Sequence, residues 1–125
     1  MSTALIVDDS ASIRSIVGFT LRTAGFEVIE GVDGQDGLRQ LETARVDLII
    51  TDLNMPVMDG LTFIRNVRAR LATRYTPLLM LTTESQAAIK QQGKAAGATG
   101  WIVKPVHPEK LLEVIAKVLP ARRTC

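Results

Sequence analysis

Five times along its 125 residues the chain passes from a short apolar run to a longer stretch whose apolar residues return every three or four positions. That alternation constrains the fold more than any other feature. It describes βα units, and strands joined through helices lie parallel in one sheet. The strand candidates are Ala4 to Val7, Glu27 to Val32, Val46 to Thr51, Leu78 to Leu81 and Trp101 to Val103. The third and fourth are apolar almost throughout, as strands are when helices cover both faces of the sheet. The expectation is an α/β fold, a flavodoxin-like doubly wound (βα)5 sandwich with strand order 2-1-3-4-5.

The intervening stretches carry helix signals. The first has Ile13, Ile16, Val17 and Leu21 on one stripe, with Ser10 or Ser12 to cap its start and Gly25 to end it. The second takes Asp33 as N-cap, with Leu38 and Leu41 inward. The third is announced by Asp59-Gly60 and runs through Leu61, Ile64, Val67 and Leu71 until Thr76-Pro77 forces extended backbone. The fifth starts at Pro108, buries Leu111, Leu112, Ile115 and Leu119, and stops at Pro120. The fourth, near Ser85 to Ala96, has Ile89 as its only large apolar residue and Gly93 inside it, and is expected to be the loosest.

Composition excludes several classes. An apolar fraction of 46% with 22% charged residues is globular rather than disordered. The length suits one domain spanning 1–125. No apolar run reaches the roughly 18 residues that would cross a bilayer, and no signal-peptide pattern opens the chain, so a cytoplasmic protein is expected. The sole cysteine, Cys125, excludes an internal disulfide. The net charge of +2 comes from scattered basic residues without a stacking surface, so nucleic acid is not an expected partner.

The chemistry lies in the polar residues that end the strands. Asp8 and Asp9 follow the first strand and Asp52 ends the third. In the expected strand order these two strands are neighbours, about 4.8 Å apart, and their carboxyl ends mark the switch point where such sheets bind ligands. Three carboxylates so close raise one another's pKa or recruit a cation, and hard Mg²⁺ suits an all-oxygen site. Thr82 closes the fourth strand and Lys104 the fifth, adding a hydroxyl and an ammonium on the same rim. Such a constellation can stabilise a transferring phosphoryl group, with Asp52 as nucleophile. Taken singly, Asp8-Asp9 and Thr82-Thr83 could be helix caps, Asp52 a turn residue and Lys104 a solvated one. Their conjunction on four strand ends favours a site.

These residues, Asp8-Asp9, Asp52 within Thr51-Asp52-Leu53-Asn54-Met55-Pro56, Thr82-Thr83 and Lys104-Pro105, resemble the response-regulator receiver family in its stand-alone, CheY-like form. The resemblance spans essentially the whole chain. It implies Asp52 as phosphoacceptor, Asp9, Asp52 and the Asn54 carbonyl as direct Mg²⁺ ligands, Asp8 holding metal-bound water, and Thr82 and Lys104 contacting phosphoryl oxygens. It further implies a cis Lys104-Pro105 bond, tuning of dephosphorylation by Asn54 and Glu84, and a switch in which Thr82 moves and an aromatic residue at position 101 follows. Here that residue is Trp101, where the family usually has Tyr or Phe; an aromatic merely packed on the fourth helix is the alternative. The implied partners are a histidine kinase or phosphotransfer protein, a phosphatase, and a downstream target such as a flagellar motor switch protein, with a monomer as the expected state. Val106 also departs from the aromatic common in relatives. His107 is expected only to cap the last helix. A Mg²⁺-dependent phosphohydrolase with an aspartate nucleophile is the competing class; it lacks support, since Asn54 stands where a second carboxylate would act as general acid. A receiver from a longer regulator, or from a cell-cycle or other phosphorelay, is a further alternative.

Overall fold

In the computed structural model, residues 2–83 and 87–119 are described. Five parallel strands, β1 (Thr3–Val7), β2 (Glu27–Gly31), β3 (Leu48–Asp52), β4 (Leu78–Thr82) and β5 (Gly100–Val103), lie in the order β2-β1-β3-β4-β5. They alternate with α1 (Ala11–Thr23), α2 (Gly34–Thr43), α3 (Gly60–Ala69), α4 (Ala87–Ala96) and α5 (Pro108–Val118). This is the flavodoxin-like doubly wound arrangement. Every residue of β3 and β4 is buried, as their continuous apolarity requires, whereas the edge strands are partly exposed.

The two-residue period of the strands divides the core. Ala4, Ile6, Leu48, Ile50, Leu79 and Leu81 pack with Val17 and Leu21 of α1 and with Leu111 and Ile115 of α5. Leu5, Val7, Ile49, Leu78 and Met80 face the other way, onto Leu41, Phe63, Ile64, Val67 and Ala96. Each such large side chain contributes on the order of 1.5–3 kcal/mol by leaving water.

The helix boundaries follow local signals. Ser10, Asp33 and Asp59 occupy N-cap positions, accepting from the N–H groups of Ile13, Asp36 and Thr62. At the end of α1, Phe26 N–H donates to the Leu21 carbonyl and Gly25 N–H to that of Arg22. This closure needs Gly25 at φ 98°, a conformation glycine adopts without a Cβ penalty. Gly93, expected to weaken α4, has a packing reason: a Cβ there would run into the Met80 thioether, so the small residue lets α4 sit against β4.

Several expectations need correction. Leu71 is not on the buried stripe of α3: the helix ends at Ala69, Arg70 turns extended (φ −93°, ψ 133°), and Leu71 enters a short 3₁₀ turn, 83% exposed. Ile16 and Leu112 lie on the expected stripes of α1 and α5 but remain exposed, the deep positions being Val17, Leu21, Leu111 and Ile115. Val32 lies beyond β2 and is exposed, and Val46 precedes β3. His107 occupies the N-cap position of α5, yet its side chain makes no capping hydrogen bond. Glu84, Ser85, Pro120 and Cys125 lie outside the described residues.

Candidate functional site

The parallel register aligns Val7 of β1 with Thr51 of β3, so the next residue of each strand, Asp8 and Asp52, emerges at one level. Asp9 joins them at the following position. One carboxylate oxygen from each of Asp8, Asp9 and Asp52 lies within 4.8 Å of the others. Six oxygen atoms in octahedral array, several of them water, are the donor set that magnesium takes, and this trio could supply part of it.

The three acids differ in environment. Asp8 is fully buried. Its Oδ1 accepts from Ser10 N–H at 2.9 Å, but its buried Oδ2 has no hydrogen-bond partner and only the Lys104 ammonium nearby, at 3.4 Å. Burial therefore raises its pKa above the ordinary carboxylate value, and the Asp52 charge adds to the rise; the Ser10 N–H and Lys104 oppose it. A buried carboxylate oxygen lacking a donor is an unmet demand for positive charge, which a divalent ion would satisfy. Asp52 is nearly buried, and its Oδ1 accepts from its neighbour's Leu53 N–H at 2.9 Å and from Lys104 Nζ at 3.1 Å. Asp9 is exposed.

Lys104 reaches the acids because β5 pairs with β4: its N–H donates to the Thr82 carbonyl at 2.8 Å, and the Lys104-Pro105 peptide is cis. Thr82 is fully buried at the end of β4. The strands thus bring Asp8, Asp9, Asp52, Thr82 and Lys104 to one edge of the sheet. Asn54 is exposed in the loop after β3. Trp101 stands apart, two residues before the end of β5 and 38% exposed, with the Lys90 ammonium of α4 4.8 Å from its ring centroid. In this conformation the ring is thus in contact with the fourth helix through Lys90. Lysine so placed is held by the ring's quadrupole.

Two residues of the site's support have no signal in the sequence pattern. Arg14, on α1, donates from Nη1 to the Asp8 carbonyl at 2.6 Å and from Nε to Glu30 of β2 at 3.0 Å.

A doubly wound sheet whose carboxyl edge gathers three acids and a lysine is the architecture of a signalling receiver, and the comparisons agree. Residues 4–116 match the family described as response regulator receiver domain, and the chain belongs to that family. Within it the resemblance is to CheY proteins. The chemotaxis protein CheY of Pseudomonas aeruginosa is 37% identical over 115 residues, covering 91% of this chain and 93% of the relative. The solved chemotaxis protein CheY4 of Vibrio cholerae is 51% identical with a TM-score of 0.92, covering 95% of this chain and 99% of that one. The receiver domain of a Pseudomonas aeruginosa sensor histidine kinase, solved with magnesium coordinated in its active-site cleft, is 26% identical with a TM-score of 0.86, covering 94% and 96%.

Proposed function

We propose that this chain is a single receiver domain, residues 1–125, that accepts a phosphoryl group on Asp52 from a histidine kinase or phosphotransfer protein and thereby switches a partner-binding face. One observation carries the reading: three carboxylates within 4.8 Å, with Lys104 on the Oδ1 of Asp52 at 3.1 Å. The Lys104 and Leu53 donors fix the orientation of the Asp52 carboxylate, so one of its oxygens can attack phosphorus in line. The new O–P bond replaces the donor's N–P bond, and the departing imidazole nitrogen keeps the electron pair. Asp8, Asp9, Asp52 and the Asn54 carbonyl would hold Mg²⁺, which when bound would supply positive charge for the phosphoryl oxygens. Lys104 and the Thr82 hydroxyl bind those oxygens, and Asn54 and Glu84 tune hydrolysis of the acyl phosphate.

Phosphorylation adds roughly 1.5 to 2 negative charges. Thr82 is drawn toward them, Trp101 moves with it, and the face formed by α4, β5 and α5 changes. That face already carries a cleft of about 390 Å³ lined by Trp101, Val103, Pro105, His107, Lys110 and Val114, a place for a target's side chain. The likeness to CheY proteins favours chemotaxis in the cytoplasm, with a flagellar motor switch protein as target and a phosphatase acting on the phosphorylated monomer. Among the described residues no helix is long and apolar enough to cross a membrane.

Incubation with acetyl phosphate and Mg²⁺, followed by intact-mass spectrometry, tests this. One phosphoryl group per chain is expected, and none in Asp52→Asn, whose fold is retained. Labelling of that variant at full stoichiometry would reject Asp52, and rapid turnover of varied phosphoesters would favour a phosphohydrolase instead.

A further inference from the structure

We propose that Arg14 and Glu30 form a positioning pair that sets the Asp8-Asp9 turn and, through it, the affinity of the site for magnesium. The inference rests on the receiver reading of that site. Asp9 is exposed, and among the described residues its carboxylate makes no hydrogen bond, so its location comes from the backbone alone. The backbone is held where Arg14 grips it. The Asp8 N–H donates to the Gly31 carbonyl of β2 at 3.1 Å, which fixes one end of the residue. The Asp8 carbonyl, which orients the peptide plane leading into Asp9, accepts from Arg14 Nη1 at 2.6 Å.

Arg14 is itself constrained. Its side chain is only 15% exposed, it stands in the first turns of a helix capped by Ser10, and its Nε donates to Glu30 Oε1 at 3.0 Å. The neighbouring Arg22 Nη2 lies 3.7 Å from the other oxygen of Glu30, steadying that carboxylate. A planar guanidinium can hold a carboxylate with one donor and a carbonyl with another at fixed geometry. The chain of contacts β2–Glu30–Arg14–Asp8 thus ties the acidic turn to the sheet. Such outer partners typically change metal affinity by about 10–100-fold when removed. A lysine carries the charge but not the fork.

The test is a Mg²⁺ titration of the unphosphorylated chain, followed by amide NMR at Asp8, Asp9 and Ser10. Arg14→Ala should weaken binding about tenfold or more, Arg14→Lys should recover only a minor part, and Glu30→Gln should weaken it less than Arg14→Ala. The double variant Arg14→Ala/Glu30→Gln should bind no more weakly than Arg14→Ala, because both changes break one chain of contacts. Thr20→Ala, which removes a hydroxyl bonded within α1 without touching the turn, should keep the parent affinity. Folded Arg14→Ala binding within about twofold of the parent, or full rescue by lysine, overturns the proposal alone. A parent chain that binds no Mg²⁺ overturns the receiver reading and the pair's role with it.

Discussion

Val57 holds φ at 70° in the loop after β3, where Met58 N–H donates to the Pro56 carbonyl at 2.7 Å in a three-residue turn. A β-branched residue is disfavoured in that left-handed region, and strain of this kind costs on the order of 1 kcal/mol. Val57 is also 74% exposed, so its side chain gains little by packing. Val57→Gly relieves that strain but adds about 0.4–1 kcal/mol of unfolded-chain entropy, so the two are expected nearly to cancel in urea denaturation; a loss of the full entropic cost or more would show that the turn is not strained. Asp8 makes a pH prediction. Its carboxyl titrates above the ordinary carboxylate value in the folded chain, chiefly because it is buried. The stability it contributes is therefore complete below the unfolded value and is lost as pH rises through the folded one. Without metal, Asp8→Asn should become more stable than the parent as pH rises through that window, by on the order of 1 kcal/mol, and match it in acid. Chemical denaturation across that range would show equal curves if the buried charge imposed no cost.

At the scale of elements, the end of α3 decides which apolar residues count. Ile64 is fully buried between α3 and the sheet, whereas Leu71 lies beyond the extended Arg70. Ile64→Ala should cost about 2–5 kcal/mol and Leu71→Ala less than about 0.5, as read from thermal unfolding. A large loss at Leu71 would place it back in the core. Arg68 explains why the chain can leave the helix there. Its guanidinium donates to the carbonyls of Thr73, Thr76 and Gly97, binding the segment after α3 to the turn after α4, and burial lowers its pKa. Nothing in the spacing of Leu61, Ile64, Val67 and Leu71 signals that stop, because the helical period continues through it. Periodicity names a face and not how far neighbouring elements extend over it, which is also why Ile16 and Leu112 were expected inward.

For the whole molecule, ion binding and folding are linked. If Mg²⁺ binds the folded chain alone, its stability should rise by about 2.7 kcal/mol at one hundred times the dissociation constant, seen as an increase in Tm with added salt of the metal. Asp52→Asn should blunt that increase, and equal responses would remove Asp52 from the ligand set. The doubly wound class was legible because strand alternation and right-handed crossovers leave few arrangements; the order 2-1-3-4-5 is the one of these that brings Asp8 and Asp52 to one edge, as the receiver resemblance implies, and the structure has it. The Arg14–Glu30 contact was not, since it joins two elements through side chains whose local patterns say only that they are charged. Trp101 has one last consequence. It is the sole indole in the chain, and the Lys90 ammonium rests 4.8 Å from its ring centroid. Indole emission from this protein therefore originates at one spot, so departure of the ammonium would alter its brightness and colour and let signalling be watched optically, without a dye.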